Sequence, residues 1–146
     1  MSIGRIVKWF KKAVPEPTEK NFNTQFGCDL EETVELLAAC EGHNMETDEA
    51  LKIFQNQIYD FAEKLKKGEI KLIVKNRVDF LDAVCDKIVT STGMAVFQNM
   101  DVEAGLEEVS ASNDSKFDLD GNPIFDDNRK IMKGPNYWKA NLESFV

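Results

Sequence analysis

Eight carboxylates, Asp29, Glu31, Glu32, Glu35, Glu41, Glu46, Asp48 and Glu49, lie between Asn21 and Leu51, a stretch with no lysine or arginine. An exposed helix ordinarily mixes signs, because like charges one turn apart cost about 0.2–0.5 kcal/mol per pair. Three of the acids also share their helix with Cys28, Leu30, Val34, Leu36, Leu37, Ala38 and Ala39, so they cannot all turn to bulk water. Asp79, Asp82 and Asp86 repeat the pattern, forming a stripe beside Val78, Leu81 and Cys85. If the two helices pack together, Glu32 and Glu35 meet Asp82 and Asp86. Such an oxygen-rich set suits a hard divalent cation, Mg²⁺ or alternatively Mn²⁺, and matches zinc poorly. The complement lies in the tail, where Lys116, Arg129, Lys130 and Lys133 precede Tyr137 and Trp138. Cations beside an aromatic pair suit a triphosphate and a stacked base.

The elements that must position these residues read as helices. Residues 2–13 form a short amphipathic helix with Ile3, Ile6, Val7 and Phe10 on one side, stopped by Pro15 and Pro17. It packs against the domain or a partner subunit. A second helix runs from about Thr24 to Cys40, ended by Gly42, and a third from about Thr47 to Lys67, capped by Gly68. The fourth starts near Leu72. Its residues Val74, Val78, Leu81, Cys85, Ile88, Thr92 and Ala95 make a continuous seam that calls for helical neighbours. A shorter helix covers about Val102–Ala111. Turns follow at Asp120-Gly121-Asn122-Pro123 and Gly134-Pro135, the first flanked by a small hairpin. The fold class is all-α, a helical bundle with an irregular C-terminal extension.

Composition narrows the function. The 146 residues suit one domain, and 42% hydrophobic with 30% charged residues fits a globular chain. No apolar run nears the roughly 20 residues of a membrane span, so no membrane partner is expected. A net charge of −8 opposes nucleic-acid binding by counterion release. Cys28, Cys40 and Cys85 lack zinc or redox spacing and read as small core residues in a reduced, cytoplasmic compartment. Asp118-x-Asp120-x-Asn122 has calcium-loop spacing, but Pro123 replaces the glycine and Arg129 the closing glutamate. His43, the single histidine, sits in a loop and supports no catalytic triad.

Glu31-Glu32-Thr33-Val34-Glu35 resembles the Glu-Glu-x-x-Glu motif of the MazG-like, all-α nucleoside triphosphate pyrophosphohydrolases. Asp79–Asp86 resembles that superfamily's second acidic helix. Ser112–Lys116 and Arg129–Gly134 resemble the Ser-Asn-x-Ser-Lys and Gly-Lys-x-x-Lys segments of the branch grouped with phosphoribosyl-ATP pyrophosphohydrolase. Two departures stand out. Ala83 takes the Glu position of Glu-x-x-Asp if Asp86 is the Asp, whereas pairing Asp79 with Asp82 restores the spacing with a shorter acid. Arg129 stands where glycine is usual.

The resemblance implies a single domain over residues 1–146, with an N-terminal helix in 1–17, a four-helix-bundle core in 24–111 and a phosphate-binding tail in 112–146. It also implies hydrolysis of a nucleoside triphosphate between the α and β phosphates. Glu32, Glu35, Asp82 and Asp86 would then ligate Mg²⁺, and Glu31 would orient or deprotonate the attacking water. Asn113, Lys116, Lys130 and Lys133 would hold the phosphates, and the protein would be a homodimer or homotetramer. Two other readings are a helical module that binds nucleotide without cleaving it and a phosphoribosyl-ATP pyrophosphohydrolase.

Overall fold

A computed structural model describes residues 2–146, which form helices α1 (Ser2–Ala13), α2 (Glu19–Ala38), α3 (Met45–Lys67), α4 (Arg77–Phe97) and α5 (Val102–Asp114). A single 3-10 turn, Glu143–Phe145, closes the chain, and no strand occurs among the described residues. The all-α class stands. Packing groups the helices into two compact units: one holds the segments up to Pro15, Ile73–Ile124 and Ile131–Val146, the other Glu16–Leu72 and Phe125–Lys130.

The second of these units is an α2–α3 hairpin. Its first helix starts five residues earlier than the spacing predicts, because Thr18 and Asn21 make a reciprocal capping box: the Asn21 amide donates to Thr18 Oγ1 and the Thr18 amide to Asn21 Oδ1. At the other end Gly42 is less a terminator than a contact point. A Cβ there would lie 2.2 Å from the Asp48 amide nitrogen, so the chain turns tightly against the first turn of α3. Asn44 caps α3 by accepting from the Thr47 amide, and Gly68, at φ +77°, ends it as expected.

The two helices approach most closely at Gly27. A side chain there would meet Lys66 Cγ at 2.7 Å and the Ala62 carbonyl at 2.9 Å. Ala62 and Leu65 are fully buried alongside, and burying a leucine contributes about 1.5–3 kcal/mol. Two polar residues of α2 tie in flanking chain. Buried Asn23 accepts from the Leu72 amide at 2.7 Å and donates to the Leu72 carbonyl, so Leu72 is held by α2 and does not start a helix. Thr24 donates to the Asn128 carbonyl at 2.6 Å.

In the other unit α1 packs on α5 through only part of the predicted face: Ile6 is half-buried and Phe10 packs against the buried cluster. Trp9 and Ala13 are buried against Phe117, whereas Ile3 and Val7 are exposed. An indole brings a large apolar surface and one donor, and both are satisfied: the ring packs edge-on to Phe10, and Nε1 donates to the Asn113 carbonyl at 2.8 Å. Arg5 reaches Asp114 with two donors and Glu107 with a third. α4 begins at Arg77 because Asn76 accepts from the Val78 and Asp79 amides. It meets α5 within its unit and buries none of its residues. Among the described residues no helix is long and apolar enough to cross a membrane.

Candidate functional site

The acidic motif on α2 lies against the inner edge of the hairpin, where Glu31 is held by two lysines. Lys66 of α3 donates to one of its carboxylate oxygens, and Lys130 donates to the other at 2.8 Å. Lys66 also pairs with Glu63 one turn back on α3, and its backbone carbonyl accepts from Lys20. The Lys66 side chain is buried along Gly27, so its charge requires both carboxylates.

Burial pushes the Glu31 carboxyl up, but hydrogen bonds and charge from Lys130 and Lys66 outweigh it, and the group sits below its ordinary 4.5. Lys130, bonded to Glu31, is raised above its ordinary 10.5. Burial pulls Lys66 down, yet its bonds to Glu31 and Glu63 leave it raised as well. While both lysines hold it, Glu31 is a permanent counter-charge, because a general base works best with a pKa near the operating pH.

Lys130 owes its position to a tight turn. Asp126 Oδ1 accepts from the Asn128 and Lys130 amides, and the Asp126 amide donates to the Lys130 carbonyl at 3.0 Å. Arg129 within it has φ +68°, the left-handed region that favours glycine. The small hairpin therefore turns at Asp126–Lys130, not at the upstream Asp120–Pro123 turn. There Asp118 folds its own loop by accepting from the Asp120 and Asn122 amides.

The predicted metal ligands stay on their helices as two exposed pairs. Glu32 and Glu35 are one turn apart on α2, and Asp82 and Asp86 one turn apart on α4, in the other unit. Among the described residues no three His, Cys, Asp or Glu side chains come together tightly enough to hold a metal ion. The donor chemistry of each pair does fit Mg²⁺, which takes one or two carboxylates and keeps several waters.

The predicted phosphate ligands divide as well. Lys130 lies beside Glu31, whereas Asn113, Lys116 and Lys133 belong to the other unit. Lys133 sits 4.7 Å from the Tyr137 ring centroid and Lys116 5.9 Å from that of Trp9. The serines of the Ser112–Lys116 segment do work that the motif alone does not reveal. Ser112 donates to the Trp138 carbonyl at 2.7 Å, Ser115 donates to the Ser112 carbonyl, and the Trp138 amide donates to Ser115 Oγ. They lash the tail to the end of α5.

Lys66, Glu63 and Gly27 carry no signal of their own in the sequence. Lys66 reads there as one of several lysines in the last turn of α3, where cations are common. Two of the cysteines also depart from expectation: Cys40 and Cys85 are exposed, and only Cys28 is partly covered, its thiol pushed up by burial.

No family model, curated protein or solved structure matches this chain.

Proposed function

We propose that the chain is a Mg²⁺-dependent nucleoside triphosphate pyrophosphohydrolase of the MazG-like all-α type, cleaving between the α and β phosphates to release a nucleoside monophosphate and pyrophosphate. One observation carries the reading. Lys130, in the tail segment read as phosphate-binding, reaches Glu31, the first residue of the acidic motif, across 99 positions of sequence. That contact puts a cation of one motif on a carboxylate of the other, which supports reading the two as parts of one site.

Glu32 and Glu35, with Asp82 and Asp86, would hold Mg²⁺ or Mn²⁺. The ion supplies neutralisation of phosphate charge and a more acidic bound water. Lys130 leaves Glu31 for the phosphate tail of the substrate, a stronger anionic partner. The carboxylate so released accepts the proton of the attacking water. The water oxygen bonds to the α-phosphorus as the bond from that phosphorus to the bridging oxygen breaks, and pyrophosphate departs. Lys116 and Lys133 add cations for the phosphates and Asn113 a hydrogen-bonding partner. The same reading includes a four-helix-bundle core and a homodimer or homotetramer.

The clasp on Glu31 also favours a second reading, a helical module that binds nucleotide and never frees its base. Pyrophosphate release from a panel of triphosphates with Mg²⁺, phosphoribosyl-ATP among them, separates the two. The enzyme turns over at least one of them and loses turnover in Glu35→Ala and Asp86→Ala at unchanged helical content. Saturable nucleotide binding without product would establish the module instead.

A further inference from the structure

We infer that a polyphosphate anion binds the α2–α3 hairpin at Lys130 by taking that lysine off Glu31, while Lys66 is the positioning residue that keeps the carboxylate in place. The inference deepens the proposed function, on which it rests for the class of anion, but it concerns binding and requires no cleavage.

The two lysines on Glu31 are held in different ways. Lys66 belongs to the last turn of α3, and its stem runs past Gly27 so closely that a Cβ there would meet Lys66 Cγ at 2.7 Å. Its side chain is 10% exposed and pairs with Glu31 and Glu63 together. Withdrawing it would leave two carboxylates without their shared cation in the hairpin's interior, so it stays. Lys130 pairs with Glu31 at 2.8 Å from a turn. The backbone of that turn is fixed without help from the Lys130 side chain. Asp126 Oδ1 accepts from the Lys130 amide at 2.9 Å, the Asp126 amide donates to the Lys130 carbonyl, and Thr24 of α2 donates to the Asn128 carbonyl. The Lys130 side chain therefore swings on an anchored backbone, and no helix has to move.

Charge decides what it swings to. A carboxylate offers one negative charge, whereas pyrophosphate or tripolyphosphate presents several, on oxygens that an ammonium binds as a point charge. When Lys130 goes, Glu31 retains Lys66, so the carboxylate is not left bare. That is the use of the second lysine: it makes the first one exchangeable.

Tripolyphosphate, titrated without metal into the full chain carrying ¹³C in its lysines, tests this. The Lys130 side-chain signal, assigned through its backbone amide, is expected to shift saturably while that of Lys66 stays where it is. By calorimetry Lys130→Gln should bind at least about tenfold more weakly than the wild type. Two further variants read the positioning role with opposite signs. Lys66→Met leaves Glu31 to Lys130 and should weaken binding, whereas Glu63→Gln gives Lys66 to Glu31 alone and should tighten it. Should Lys66→Met lose its helical circular dichroism, Glu63→Gln carries that arm. Equal binding by the wild type and Lys130→Gln, a Lys66 signal that moves with that of Lys130, shifts confined to other lysines, or a Glu63→Gln variant that binds no more tightly overturns the inference. Turnover of a triphosphate without this exchange overturns the inference alone. Exchange without turnover of any triphosphate supports it and overturns only the pyrophosphohydrolase reading.

Discussion

α3 and α4 are nearly the same length, 23 and 21 residues, and both start from an asparagine cap, yet they have opposite fates. The more polar α3 buries Ala62, Leu65 and even Lys66, while the more apolar α4 buries nothing. What separates them is the neighbour. α2 offers α3 a glycine to close on and a carboxylate to neutralise its lysine, and a charged side chain then becomes part of the hairpin's interior. Apolarity creates a demand for burial but does not say what will meet it.

That contrast is sharpest if the polar contact holds more than the exposed apolar surface does. Lys66→Met should cost most, about 3 kcal/mol, because Glu31 and Glu63 would lose the buried cation they share and keep only Lys130 and the more exposed Lys67. Thermal unfolding should fall by roughly 10 °C. Gly27→Val should follow at about 1–3 kcal/mol, since its Cβ would press on Lys66 and the Ala62 carbonyl, and urea titration reads it directly. A loss below about 0.5 kcal/mol in either variant would remove the distinction between the two helices.

Acid sharpens the same comparison. Glu31 is lowered from its ordinary 4.5 in the folded chain, so its stabilisation is complete above that value and fades as pH falls through the lowered one. Glu31→Gln should therefore melt below the wild type at neutral pH, by about 1 kcal/mol after allowance for solvent screening. The gap should close as the pH drops below 4.5. The lysine contributions run the other way, present below 10.5 and lost as pH rises through the raised values. A gap that is constant from pH 3 to 8 would show the pair to be energetically silent.

Two smaller effects complete the series. Arg129→Gly should raise stability by about 0.5–1 kcal/mol, because the turn already holds φ +68° and glycine adopts it without strain. Val89→Ser on α4, where the side chain is exposed, should change stability by less than about 0.5 kcal/mol, read by urea titration. A larger loss there would mean that α4 is covered within the chain.

Much of this was legible from residue order. Gly68 as a left-handed cap, the helical run through Leu51, Phe54 and Ile58, and the stop at Pro15 are local effects, and local effects are written locally. The start of α2 escaped because its capping partner is asparagine where glutamate is the familiar signal. Phe10 of the predicted α1 face does pack on the core, but Ile3 and Val7 do not, because Trp9 outweighs them once Phe117 and the Asn113 carbonyl are beside it. Of the candidate site, the acidic and basic clusters were visible, but the clasp on Glu31 was not. Lys66 carries no spacing signal, and it is named only by the geometry of a second helix.

The sequence by itself determined the helices, their caps and the sign of the charge on each face, since these depend on residues within a few positions of one another. Tertiary structure alone decided which charges meet. Ion pairing falls off within ångströms, and only the folded hairpin and its turn bring Lys66, 35 positions from Glu31, and Lys130, 99 positions away, into bonding range of a single carboxylate.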